Sequence, residues 1–162
     1  MLSLHETVAM VNQDRGHGND SIGARRQAAK FYQQVYNGAW WSRIWRQTFS
    51  RHEHLAELET ILNGRRVKSS RYLGTQLVSI DRIRGSEGRS RDFDRRFRPL
   101  NGKNEARWVS VAAARFLEAP LPPVNLILVG DTYYVRDGHH RISVARAAGQ
   151  GEIEAEVVAW EV

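Results

Sequence analysis

Apolar positions recur along this chain with two different periods, and the switches between them mark out its elements. From residue 21 to 49 the period is helical. Ala28, Phe31, Tyr32, Val35 and Tyr36 share one stripe, and Trp40, Trp41, Ile44, Trp45 and Phe49 continue at the same spacing. Asn37-Gly38 predicts a break between the two sets. Ser50-Arg51-His52-Glu53 has the form of a capping box, and it predicts a helix through Leu55, Leu58, Ile61 and Leu62 that stops at Asn63-Gly64. Gln76 to Ile83 then reads as a first strand, followed by a loop from Arg84 to Arg89. The densely charged stretch 90–100 reads as a solvated, partly helical connector. Asn104 to Glu118 is a predicted helix carrying Trp108, Val111, Ala112, Arg115 and Phe116, ended by Pro120, Pro122 and Pro123.

After those prolines the period becomes two. Leu126 to Val129 and Thr132 to Val135 are rich in β-formers and flank Gly130-Asp131, a tight-hairpin signal. Helical spacing returns with Ile142, Ala145 and Ala148, and Gly149 stands where a left-handed cap belongs. The last segment, Ile153 to Trp160, alternates Ile153, Ala155 and Val157 with Glu154 and Glu156, the pattern of a half-buried strand. The expected organisation is a mobile tail at 1–20, a helical basic arm at 21–71, and a small α+β domain with a mixed sheet at 72–162.

Composition changes this picture in three places. A chain of 162 residues with 41% hydrophobic content supports one modest core. Cysteine is absent, which excludes disulfides, thiolate metal sites and a cysteine nucleophile. No apolar run is long enough to span a membrane and none reads as a secretory signal, so a cytoplasmic location is expected. The net charge is unevenly spread. Residues 1–71 hold 11 basic against 6 acidic side chains (+5), and residues 72–162 hold 13 against 12 (+1). Nearly all the cations are arginines, which suit planar, two-point contact with phosphate.

Candidate chemistry gathers between the hairpin and its helix, at Asp137, Gly138, His139, His140 and Arg141. A glycine that leaves a strand and opens a helix exposes unpaired backbone N–H groups, and these attract anions. Two imidazoles and a guanidinium at that turn make a phosphate the expected guest. Arg141 has two readings: a phosphate contact, or an ion pair with Asp137 or a C-terminal glutamate that fixes the elbow.

Asp-Gly-His-His-Arg followed by Ile-Ser-Val-Ala-Arg-Ala-Ala-Gly resembles the second conserved box of the ParB/sulfiredoxin superfamily. Residues 77–89 resemble the first strand and phosphate-contacting loop of that family, and Pro122-Pro123-Val124 its entry into the hairpin. The likeness covers about residues 72–162 and implies a ParB/sulfiredoxin-like fold in a stand-alone domain of the kind labelled ParB-like nuclease, though no residue here demands nuclease chemistry and no paired-carboxylate metal site is visible. It implies a nucleotide ligand (ATP, ADP or CTP, with or without Mg2+) contacted by Arg84, Ser86, Arg89, Gly138, His139, His140, Arg141 and Ser143. His139 stands where sulfiredoxins have cysteine and ParB proteins glutamate, so neither family's chemistry carries over unchanged. Glu87 and His139 are the candidate catalytic pair if the domain is a phosphotransferase or nucleotide hydrolase, as in the free serine kinase branch. The bland reading of Glu87 is a loop carboxylate neutralising its neighbouring arginines. The chain ends two residues after Trp160, so no helix-turn-helix domain is expected.

The arm has its own alternatives. Its tryptophans, interleaved with Arg43 and Arg46, either stack the bases of a nucleic acid or pack as core, against the domain or in a homodimer. His52 and His54 lie two residues apart, on different faces of a helix, and are not expected to chelate a metal.

Overall fold

The computed structural model describes the backbone of residues 20–46 and 54–162, with side chains for 20–38 and 54–162. The tail, the capping box and the stripe from Trp40 to Phe49 therefore lie outside the described side chains.

Helix α1 spans Asp20–Arg46. Ala24, Ala28 and Tyr32 form its buried stripe, packed on Trp108, Ala112 and Phe116 of helix α3 (Glu105–Phe116). The expected break at Asn37-Gly38 does not occur. A helical glycine costs only about 1 kcal/mol, and the stripe on α3 together with an Arg98 guanidinium donating to the Gly38 carbonyl oxygen (3.1 Å) offsets it.

Residues 56–71 also differ from expectation. Ala56–Glu57 forms strand β1, and the helix that follows, α2, is a single turn over Leu58–Leu62. It stops at Asn63, in left-handed conformation, as its Asn-Gly signal requires. Leu55 is buried in the core beneath the sheet, so the hydrophobic period there serves a strand entry instead of a long helix. The arm and the sheet domain thus share these residues.

Six strands form one mixed sheet in the order β1-β3-β5-β4-β6-β2. They are β1, β2 (Ser69–Ser79), β3 (Ile83–Ser86), β4 (Val124–Val129), β5 (Thr132–Asp137) and β6 (Glu152–Glu161). The expected single strand at 76–83 is two strands separated by a 3-10 turn at Ile80–Arg82, and half of the expected 84–89 loop is β3 itself. Gly85 permits this. A Cβ there would lie 2.4 Å from the Ala56 carbonyl oxygen and 2.5 Å from the Tyr134 ring, so only glycine lets β1 and β5 flank β3 so closely. The β4–β5 hairpin turns at Gly130-Asp131, with Val129 opposite Thr132, as predicted.

Helix α4 (His139–Ala147) lies over the sheet. Ile142 and Ala145 point into the main core with Leu126, Val135 and Ala155, and Val144 points outward to the α1–α3 layer. The opposite sheet face carries Ile127 and Tyr134 beneath Leu58. The fold is therefore α+β, with an N-terminal helix packed through α3 and α4 onto a mixed sheet.

The charged stretch at 90–100 is not a solvated connector. Phe93 and Phe97 are fully buried in the main core. Asp94 organises the turn between them: its Oδ1 accepts the backbone N–H groups of Arg96 (2.8 Å) and Arg98 (2.9 Å), and its Oδ2 accepts Arg98 Nε (2.7 Å). Arg91, Arg95 and Arg96 remain exposed. Two aromatics four residues apart anchor the segment, and the charges between them face outward or pair locally.

Candidate functional site

Gly138 builds the elbow. Strand β5 ends at Asp137, Gly138 turns at φ +99°, and α4 begins at His139. A Cβ on Gly138 would meet Val124 Cγ1 at 2.5 Å, so the turn excludes any side chain. The first helical bond runs from Ile142 N–H to the Gly138 carbonyl oxygen (3.0 Å), and no side chain caps the turn. The N–H groups of the opening turn consequently have no partner within the helix.

Ser86, at the end of β3, reaches this turn. Its Oγ lies 2.7 Å from His139 Nε2 and accepts the backbone N–H groups of Gly88 (3.2 Å) and Arg89 (2.9 Å). Those two donors occupy both oxygen lone pairs, so the hydroxyl proton must point to Nε2. His139 is therefore a neutral imidazole protonated on Nδ1. Its pKa is lowered to about 4, first by burial and then by the charges of Arg89 and His140, with Asp137 and Asp92 opposing. The ring is only 3% exposed and stacks on Phe93, centroids 5.9 Å apart.

His140 differs from its neighbour. It is 4% exposed, and neither Nδ1 nor Nε2 has a hydrogen-bond partner among the described residues. Its pKa is also lowered to about 4, by burial, then Arg89 and Arg107, against Asp92 and Asp137. The Phe93 ring meets it edge-on at 5.4 Å.

The neighbouring cations are held to different degrees. Arg89 donates from Nε to Asp92 Oδ2 (2.8 Å) and from Nη2 to Asn104 Oδ1 (3.0 Å). Burial works to raise the Asp92 pKa, and the hydrogen bond and charge of Arg89 overcome it, leaving the carboxyl below its ordinary value. Arg141 is committed to the elbow. Its Nη1 donates to the carbonyl oxygens of Pro122 (2.5 Å) and Pro123 (2.6 Å), and its Nη2 to Asp137 (2.7 Å), with 14% of the side chain exposed. Of the two readings of Arg141, the ion pair with Asp137 is present.

Ser86, Arg89, Gly138, His139, His140 and Arg141 thus come together from two segments. Three other candidates face elsewhere. The Glu87 carboxylate accepts Arg136 Nε (2.8 Å) and Nη2 (3.1 Å), and Arg136 also lies over the Trp160 ring. This hydrogen bond raises the Arg136 pKa against the effect of burial. Ser143, one helical turn on from His139 and His140, is engaged by α3 instead, its Oγ accepting the indole N–H of Trp108 (2.8 Å). Arg84 is exposed on β3. Among the described residues no trio of His, Asp or Glu is placed to hold a metal ion, and no helix is long and apolar enough to cross a membrane.

Sequence reasoning did not find Phe93, Asp92, Asn104, Arg107 or Arg136. For Phe93 a signal was present, two phenylalanines four residues apart inside a charged run. The others lie in exposed or polar contexts and acquire their roles through contacts distant in the chain.

No family model and no curated protein matches this chain. A sulfiredoxin from Arabidopsis thaliana is a similar solved structure, with 18% identity over 51% of this chain and 82% of that one, at a TM-score of 0.39.

Proposed function

We propose that this protein binds a phosphate-bearing small molecule, a nucleotide such as ATP, ADP or CTP, at the β5–α4 elbow. The supporting observation is His140: buried, unpartnered at both ring nitrogens, and set in an uncapped helical turn beside Arg89 and Arg107. A buried polar group without a partner costs about 1–3 kcal/mol. A phosphate that accepts from the imidazole N–H and from the N–H groups of the opening turn satisfies the ring's donor and lowers that cost. The likeness of Gly138-His139-His140-Arg141 to the second ParB/sulfiredoxin box points to the same ligand. The described residues present no metal cage, so magnesium would come bound to the polyphosphate.

Thermal unfolding with ATP, ADP and CTP, each with and without magnesium, tests this reading. A ligand at a hundred times its dissociation constant adds about 2.7 kcal/mol. Arg107→Ala alters an exposed side chain and should weaken binding about tenfold while leaving the fold intact. Arg141→Ala is unsuited to the test, because it removes three contacts that shape the elbow. Absence of stabilisation by any of the three nucleotides at millimolar concentration would exclude the nucleotide reading.

A further inference from the structure

A cavity lies apart from the elbow residues, where α1, the turn at 94–98 and the last turns of α4 meet. It measures about 250 Å³, the volume of about eight waters at liquid density, and is partly open to solvent. Val35 and Ala147 supply apolar wall, and Arg96, Arg98 and Arg146 bring three guanidiniums to its lining.

The polar groups around it are incompletely used. Arg98 is paired with Asp94. Arg146 is paired with Asp81, which is 84% exposed, and so exposed a carboxylate is readily exchanged for another anion. The guanidinium of Arg96 has no hydrogen bond or ion pair among the described residues; Asp94 holds only its backbone N–H. Ser143, 2% exposed, also lines the cavity. Its oxygen receives the Trp108 N–H, and its own proton meets no acceptor among the described residues. A positive rim, an apolar wall and an unspent hydroxyl donor define the guest's chemistry.

We propose that this cavity binds a small carboxylate with an apolar body. The carboxylate lies against Arg96 and Arg146 and accepts the Ser143 proton, and the body covers Val35 and Ala147. The cavity shares no residue with the elbow, although Ser143 stands one helical turn from His139 and His140, and α1 is required to close it.

The test uses the full chain and benzoate as probe, read through the Trp108 indole N–H resonance, identified by its loss in Trp108→Phe. Benzoate and hexanoate should shift this signal saturably, while acetate (charge without a body) and benzamide (a body without charge) bind at least about fivefold more weakly. Arg96→Ala should weaken benzoate about fivefold or more, and Val35→Trp should abolish it by filling the wall. Inorganic phosphate should not displace benzoate. Benzamide binding as well as benzoate, undiminished binding in Arg96→Ala, or displacement of benzoate by phosphate would each overturn the proposal. If Val35→Trp does not fold, Arg146→Ala replaces it, with a loss of about fivefold again expected.

Discussion

The β5–α4 elbow and the arginine-rich turn at 89–98 invert each other. The elbow reads as a polar, ligand-facing site, yet its two histidines are buried and one of them is unsatisfied. The turn reads as a solvated connector, yet it anchors two phenylalanines in the core and accounts for the donors around Asp94. A charged side chain reports only where its own tip goes, and a neighbouring aromatic can be fully buried. The two regions are also one assembly, because Phe93 packs against both His139 and His140.

The largest expected effect tests whether the turn is core. Phe93→Ala should destabilise the protein by about 3–5 kcal/mol in urea titration, and should broaden or shift the NMR signals of both imidazoles. A loss under about 0.5 kcal/mol, the range of an ordinary surface site, would restore the connector reading.

A similar effect tests whether the elbow is as buried as the turn. In the fold both imidazoles stay neutral down to about pH 4, whereas in the unfolded chain they take up protons near 6.5. Between those values the unfolded state binds more protons, so stability falls as pH drops from 6.5 toward 4 and is level above 7. One imidazole accounts for roughly 3 kcal/mol over that range. Urea midpoints measured from pH 8 to 4.5 check the slope, and His140→Phe should reduce it. A flat profile would mean the histidines are solvated.

Next in size is Gly138→Ala. A left-handed φ and contact with Val124 should cost about 2 kcal/mol and weaken any phosphate ligand, since the opening turn moves. An unchanged melting temperature would mean that the elbow is not locally encoded.

The smallest effect concerns the border between the regions. Glu87 and Arg136 are both substantially exposed, so Glu87→Gln should change stability by less than about 1 kcal/mol. A larger loss would join this pair to the buried assembly.

Much of the elbow was legible in the residues. Gly130-Asp131, the β-formers around it, Gly138 and Gly149 specify hairpin, turn and helix from local preferences alone, and the structure places these elements within a residue or two of expectation. The helix with Trp108 was legible for the same reason, since its apolar stripe repeats every three to four residues. Local conformational preference and periodic burial are encoded by neighbours in the chain.

Only the tertiary structure decided the rest. Ala56 becomes a strand because Gly85, 29 positions on, leaves room for it. Gly38 stays helical because α1 is held by α3 and Arg98. Arg141 is spent on Pro122, Pro123 and Asp137, while His140, one residue earlier, finds no partner. The protonation of His139 follows from a serine 53 residues away. A side chain's type sets what it can donate or accept, but which partners reach it, and how much water remains, depends on segments that meet only when the chain is folded.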